Sequence, residues 1–304
     1  MMRVLVTGAS GMIGSAVSDV LLARGHEVVG LSRDPERARG TNPTVTWHSW
    51  EPASERPPEE SFEGVNAVVN LIGEEINQRL TPDAKRRIHD SRIRATKNLV
   101  DGMSSAADGP KALVSQSAVG YYGDRGEAMI DESTSAGEGF LAQIAVEWEN
   151  AAREAESLGV RVVIFRSGLI LDPNGGLLKQ LLLPFKLGVG GPIAGGRQYM
   201  PWIHRDDEIG LFVWALENPE VSGTLNASAP NPVINKEFSK TLGKVLHRPS
   251  FAPAPKLALR AMRGPELADA ILWSQRVIPR RAVDLGYQFR FGELEPALRN
   301  LLSG

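Results

Sequence analysis

The residues that most directly specify chemistry lie near the start of the chain. Gly8-Ala-Ser-Gly11-Met-Ile-Gly14 follows an apolar run, Val4–Thr7, and leads into a stretch with Ile13, Val17, Val20 and Leu21 at helical spacing. In a strand–turn–helix setting the first glycine permits the tight turn and the second lets backbone approach a pyrophosphate. The third lets helix and strand pack closely. Free N–H groups at the helix start then face the anion. The spacing therefore predicts a dinucleotide site built from Gly8, Ser10, Gly11, Met12, Ile13 and Gly14. The next apolar run ends in Leu31-Ser32-Arg33. An acidic residue there would accept from a ribose 2′-hydroxyl, whereas a serine hydroxyl and a guanidinium suit a 2′-phosphate. Ser32 and Arg33 thus point to NADP rather than NAD, with Asp34, one or two residues late, as the contrary detail.

The elements that must hold these residues are legible as alternating strand and helix patterns. Candidate strands are Val4–Thr7, Glu27–Leu31, Val45–His48, Ala67–Ile72, Ala112–Ser117 and Val160–Arg166. They are rich in Val, Ile and Leu without polar alternation, as expected of parallel strands covered on both faces. Gly25 stands where the first helix should be capped, and Thr81-Pro82 supplies an N-cap and first-turn proline for a helix reaching about Met103. Leu141, Ile144, Trp148, Ala151 and Ala155 line one face of another helix. Beyond residue 166 a Gly/Pro-rich loop (188–198) precedes a helix expected to be capped by Asp206 or Asp207, then a strand at Gly223–Ala227. Short helices broken by prolines follow.

The expected fold class is α/β, a doubly wound parallel sheet (Rossmann) with a smaller C-terminal substrate lobe. The cofactor-binding domain would span 1–168, with 203–228 returning to it; 169–202 and 229–304 would form the lobe over the strand ends, where open α/β sheets bind ligands.

Composition narrows the function. Apolar residues make up 42% and charged residues 23%, and the net charge of -2 gives no basic field for nucleic acid. With no cysteine, thiolate metal sites, iron–sulfur clusters and a cysteine nucleophile are excluded, and the scattered histidines lack ligand spacing, so no metal is expected. The apolar stretch 177–187 is about half a membrane span and contains Lys179, Gln180 and Pro184. No Gly-x-Ser-x-Gly elbow or Walker-type lysine occurs. The expectation is a cytoplasmic monomer or homodimer acting on a small molecule, with neither nucleic acid nor membrane as partner.

The glycine turn, Asn70-Leu-Ile-Gly73-Glu, Ser91-Arg92, Ser115-Gln-Ser117-Ala-Val-Gly-Tyr-Tyr-Gly123, Trp148-Glu149, Trp202-Ile-His204 and Ser274-Gln-Arg-Val-Ile-Pro279 run from end to end of the chain. Together they resemble the extended short-chain dehydrogenase/reductase superfamily, which includes nucleotide-sugar epimerases, and more narrowly an atypical epimerase-family branch. The resemblance implies a nicotinamide enzyme in which a serine after the fifth strand holds the substrate oxygen. A tyrosine four residues before a lysine moves the proton, the lysine lowering the tyrosine pKa from one helical turn away. Ser117 matches the serine. The Tyr-x-x-x-Lys pair is missing: Leu141 and Ala145 stand in its place, and no lysine occurs between Lys111 and Lys179.

Replacement proton carriers are Tyr121, Tyr122 or Glu74, the last following the fourth strand with Glu75. The resemblance adds Leu71, Ile72, Gly73, Ser115 and Arg166 to the cofactor contacts. Arg92 replaces an expected asparagine; with Trp202, His204 and Arg276 it is a candidate substrate contact, and Arg92 and Arg166 could each meet an anion. Two functions follow: an NADP-dependent oxidoreductase or epimerase-like enzyme on a polar small molecule such as a nucleotide sugar, or a non-catalytic NADPH-binding sensor.

Overall fold

The computed structural model describes residues 1–106 and 108–303. Seven strands form one sheet: β1 (Arg3–Thr7), β2 (Glu27–Ser32), β3 (Thr46–Ser49), β4 (Ala67–Asn70), β5 (Ala112–Ala118), β6 (Arg161–Ser167) and β7 (Gly223–Ala227). Their order is β7-β6-β5-β4-β1-β2-β3, every pairing parallel, so the direction of winding reverses between β1 and β4. The expected doubly wound sheet is present. Strand alternation explains the unbroken apolar runs: Val4, Val6, Val69, Val114 and Val163 enter the core on one face, and Leu5, Val68, Leu113, Val162 and Ile164 enter that on the other. Helices α1 (Met12–Ala23) and α6 (Arg205–Glu217) cover the first face through residues such as Val17, Leu21, Phe212 and Val213. The second is covered by α4 (Ala95–Ser105) and α5 (Phe140–Arg153).

Most boundaries fall within a residue or two of the sequence reading, and three differences matter. The fourth strand stops at Asn70, leaving Leu71–Gly73 outside the sheet. The helix starting at Thr81 is not continuous: α3 (Pro82–His89) passes through a π-helical turn, Asp90–Arg94, into α4. Asp206 and Asp207 do not cap α6. His204 does, its Nδ1 accepting from the Asp206 N–H at 3.0 Å, while Asp207 accepts from the backbone N–H of Arg290 and Phe291 at 2.8 and 2.9 Å.

The C-terminal elements bury their own cluster, including Leu178, Trp202, Phe238, Leu242, Leu294 and Leu298. Gln275 joins this part to the sheet, its Nε2 donating to the carbonyls of Val119 (2.9 Å) and Gly123 (3.0 Å) just beyond β5. Among the described residues no helix is long and apolar enough to cross a membrane.

Candidate functional site

The glycine turn is held by contacts that leave no room for side chains. Gly8 has φ +65°, and a Cβ on it would lie 2.9 Å from the Leu71 carbonyl oxygen; a Cβ on Gly14 would lie 2.2 Å from the Gly8 oxygen. The Gly11 N–H closes the turn on the Gly8 carbonyl at 2.8 Å. Ile13 and Gly14 are buried, Ser10 is exposed, and the Met12 side chain rests against Gly175. No side chain caps the start of α1, so its first N–H groups stay open to a ligand.

Beside this turn lies a cleft of about 400 Å³ lined by Gly8, Ser10, Ser32, Arg33, Arg37 and Ile72, among others. Neither Arg33 nor Arg37 is in an ion pair among the described residues, so two guanidinium groups are free to meet an anion. Asp34 is engaged elsewhere: its carboxylate caps the helix at Pro35–Thr41 by accepting from the Arg37 N–H at 3.1 Å. This accounts for an acid so close to the end of β2 in a site otherwise built for phosphate. Arg37 escaped the sequence reading, although it lies four residues after Arg33, in the first turn of the helix at Pro35–Thr41.

The polar residues behind the turn are internal. Thr7 Oγ1 donates to Asn70 Oδ1 (2.8 Å), and Asn70 Nδ2 donates to Thr96 Oγ1 (3.0 Å) and Ser115 Oγ (3.1 Å). Ser115 is therefore a buried strand-to-strand tie rather than a hydroxyl open to ligand. Ser117 is turned the same way, because residues two apart on a strand share a face. Its hydroxyl donates to Glu149 Oε1 at 2.9 Å, and Glu149 forms a two-point ion pair with Arg166 (Nε–Oε1 2.7 Å, Nη2–Oε2 2.9 Å). Arg166 donates on to the Tyr122 hydroxyl (3.0 Å), which donates to Asn226 Oδ1 (2.6 Å). Burial opposes the charge on Arg166, but Glu149 outweighs it and holds the guanidinium above its ordinary value; burial pushes the Tyr122 phenol up to about 12. Ser117, Tyr122 and Arg166 thus form a closed internal network and do not reach the cleft. Tyr121 lies over Arg166, 3.3 Å from ring centre to guanidinium carbon, and its hydroxyl makes no hydrogen bond among the described residues.

What faces the space beyond β5 is different. A cleft of about 230 Å³ is lined by Ala118, Leu141, Ala145, Trp148, Ser167 and Leu169, closed from the C-terminal part by Leu267 and Trp273. Leu141 and Ala145, the residues at the tyrosine and lysine positions, form part of its wall. Arg92 also enters it from the π-helical turn, buried, with its Nε unpartnered; burial lowers its pKa to about 10, so it stays charged near neutrality. Ser167 donates to Glu208, which is fully buried on the first turn of α6. Desolvation pushes that carboxyl up to about 8, Ser167 only partly opposing, and its Oε2 has no partner among the described residues. Glu208 was missed because its acid-rich surroundings, Arg205–Glu208, read as a solvated helix start.

The remaining candidates lie apart from the cleft. Glu74 is ion-paired with Arg87 at 2.9 Å, which with Gln78 holds its carboxyl below the ordinary range and makes it a poor proton donor. Trp202 is fully buried in the C-terminal core, donating to the Asn231 carbonyl. His204, besides capping α6, stacks on Phe291 and contacts Asn300 at 3.1 Å; burial lowers its pKa against the pull of Asp206 and Asp207. Arg276 stacks on Tyr199 at 5.1 Å while its neighbour Gln275 lines the cleft. No cluster of potential metal ligands occurs among the described residues.

A parallel, doubly wound sheet with a glycine turn at its first crossover and a basic cleft at the end of its second strand defines a Rossmann protein of the dinucleotide-binding kind. The chain belongs to the NAD dependent epimerase/dehydratase family, which matches residues 4–227; residues 254–301 match a domain of unknown function, DUF1731. It is 39% identical over 303 residues to the chloroplastic epimerase family protein SDR39U1 homolog of Arabidopsis thaliana, covering 99% of this chain and 87% of that one. Human epimerase family protein SDR39U1 is 39% identical over 306 residues, covering 99% of this chain and all of the relative. The crystal structure of the human protein (isoform 2) with NADPH superposes at a TM-score of 0.90, with 38% identity and complete coverage of both chains.

Proposed function

We propose that this chain binds NADP(H) and uses it to reduce, or reversibly to oxidise, a small molecule held in the cleft beyond β5 and β6. The observation that carries this reading is the pairing of Arg33 and Arg37, both without acidic partners among the described residues, beside a glycine turn in which a Cβ would meet backbone. Two guanidinium groups and the Ser32 hydroxyl match a 2′-phosphate, and the relative crystallised with NADPH supports the same choice. The bound cofactor supplies or accepts hydride; this chain's residues orient the partner molecule and manage the proton. Among the described residues lining the cleft, Ser167 is the one that carries an aliphatic hydroxyl. When Glu208 is protonated it donates to Ser167 Oγ, which frees the serine proton to pass to a developing alkoxide in the cleft. This route replaces the absent tyrosine–lysine pair, and in it Ser117, Tyr121, Tyr122 and Glu74 have no part. The division into a cofactor domain (1–168 with 203–228) and a substrate lobe belongs to the same reading.

The test is parallel titration with NADPH and NADH, followed by turnover on a panel of carbonyl compounds. Tighter NADPH binding by tenfold or more, with oxidation of NADPH by some member of the panel, is the expected result; equal affinities sink the phosphate argument. A second reading, a non-catalytic NADPH sensor, is favoured by the apolar Leu141 and Ala145 where the proton-transfer pair would stand. Tight NADPH binding with no turnover across the panel selects it.

A further inference from the structure

We infer that the cleft beyond β5 is a receptor for a small, mainly apolar carboxylate, its carboxyl group held by Arg92 and its body by Ile76, Ile144, Leu267 and Trp273. The inference rests on the oxidoreductase reading for the identity of this cleft as the substrate site, and adds the substrate's chemical class.

Arg92 is only 8% exposed, yet no carboxylate lies within ion-pair distance of it among the described residues. Its contacts with oxygen are long, 3.5 Å to the Ile88 carbonyl and 3.4 Å to Ser91 Oγ, and Nε has none. Glu74, the acid whose field reaches it, is occupied by Arg87 and Gln78. A buried cation without a counter-ion is costly, and buried charges are normally paired. Here the fold holds it in place. The π-helical turn at Asp90–Arg94 carries Arg92 inward, an irregularity that recurs at functional sites. The guanidinium is wedged between Trp148, 5.1 Å from its ring centre, and the backbone of Gly73, where a Cβ would come within 2.9 Å of the guanidinium carbon. A side chain at position 73 would compete with the Arg92 guanidinium for this space.

Among the described residues Arg92 is the one charged side chain lining the cleft; the other lining residues are apolar apart from Ser167, Gln275 and Trp273, since the Trp148 ring nitrogen is tied internally to Thr96 at 3.1 Å. A single guanidinium matches a monoanion in two-point contact, not the two phosphate charges and many hydroxyls of a nucleotide sugar. Size agrees. At about 30 Å³ per water, 230 Å³ corresponds to about eight waters, hence to a ligand of roughly ten non-hydrogen atoms. Drug-sized ligands take clefts of about 300–1,000 Å³.

The test is calorimetric titration of the full chain, with and without saturating NADP⁺, using benzoate, phenylacetate and hexanoate against their neutral amides, and UDP-glucose. At least one carboxylate is expected to bind ten- to a hundredfold more tightly than its amide, the range of a charge-assisted buried contact. Arg92→Met should abolish that difference and Arg92→Lys restore part of it. The inference is overturned if every carboxylate binds no better than its amide, or if UDP-glucose binds more tightly than all of them and competes with them. The wild-type acid–amide comparison decides the matter even if the variants fold poorly. NADPH titration of the same samples reports separately on the cofactor reading, so loss of one leaves the other measurable.

Discussion

Replacing Glu208 by Gln should flatten the pH dependence of stability, and should make the protein more stable than wild type in mildly alkaline buffer. Glu208 is fully buried, and among the described residues its sole hydrogen bond is from Ser167 and its Oε2 has no partner. Desolvation raises its pKa from 4.5 to about 8. The groups around it do not supply a counter-charge: Tyr287 is neutral over this range, burial and the fields of Asp207 and Glu208 raising its phenol, and Asp207 is itself an acid. A carboxyl with a raised folded-state pKa holds its proton more tightly in the folded chain. Its contribution is complete below the unfolded pKa and is lost as pH rises towards the folded one. At about 1.4 kcal/mol per pH unit, the 3.5 units between 4.5 and 8 amount to about 5 kcal/mol, of which about 3 are lost by pH 7. Glutamine mimics the protonated acid and does not titrate. Urea unfolding of both proteins from pH 5 to 9 should give curves close together at pH 5 and diverging by about 1.4 kcal/mol per unit up to pH 8. Parallel curves would mean that Glu208 ionises at an ordinary pKa, and would remove the proton route through Ser167 with it.

Four further outcomes follow from the same geometry. Arg33→Ala should weaken NADPH binding by about tenfold while leaving NADH nearly unchanged, and adding Arg37→Ala should erase the remaining preference, as fluorescence titration can show. Gly14→Ala places a methyl 2.2 Å from the Gly8 carbonyl oxygen, so the turn must open; a loss of about 1–3 kcal/mol by urea unfolding and of measurable dinucleotide affinity is expected. Glu149→Gln leaves Arg166 buried without its counter-ion, which should cost about 3–5 kcal/mol in the same assay. Ser117→Ala removes one internal hydrogen bond, about 1 kcal/mol, and should leave NADPH affinity and any NADPH-dependent turnover within about twofold of wild type; a collapse of turnover would return the serine to the cleft.

The contrast between the cofactor site and the cleft shows what a sequence can carry. The glycine turn was legible because its constraints are local: Gly8, Gly11 and Gly14 lie within one turn, and the residues that fill their missing side-chain space are mainly one another's backbone. The strands were legible because both sheet faces are buried and apolar runs leave little choice. The cleft depends on which way single side chains turn, and motif position does not give that. Ser117 and Ala118 are neighbours in the same motif, yet strand parity sends the serine inward to Glu149 and gives the cleft the alanine. Tyr122 is taken inward by Arg166 and Asn226, so the motif's tyrosine pair leaves the cleft without a hydroxyl from Tyr122. Trp202 and His204 lie on a short strand paired with Leu169–Leu171, outside the seven-stranded sheet, and are consumed by the C-terminal core and the start of α6. Arg92 could be suspected from sequence as a cation where an asparagine was expected. That it has no acidic partner is a three-dimensional fact, produced by Arg87 capturing Glu74 from thirteen residues away. An internal network that absorbs the familiar polar residues and a cleft lined by one guanidinium without an acidic partner among the described residues are two results of the same packing, and the proposed chemistry rests on the second.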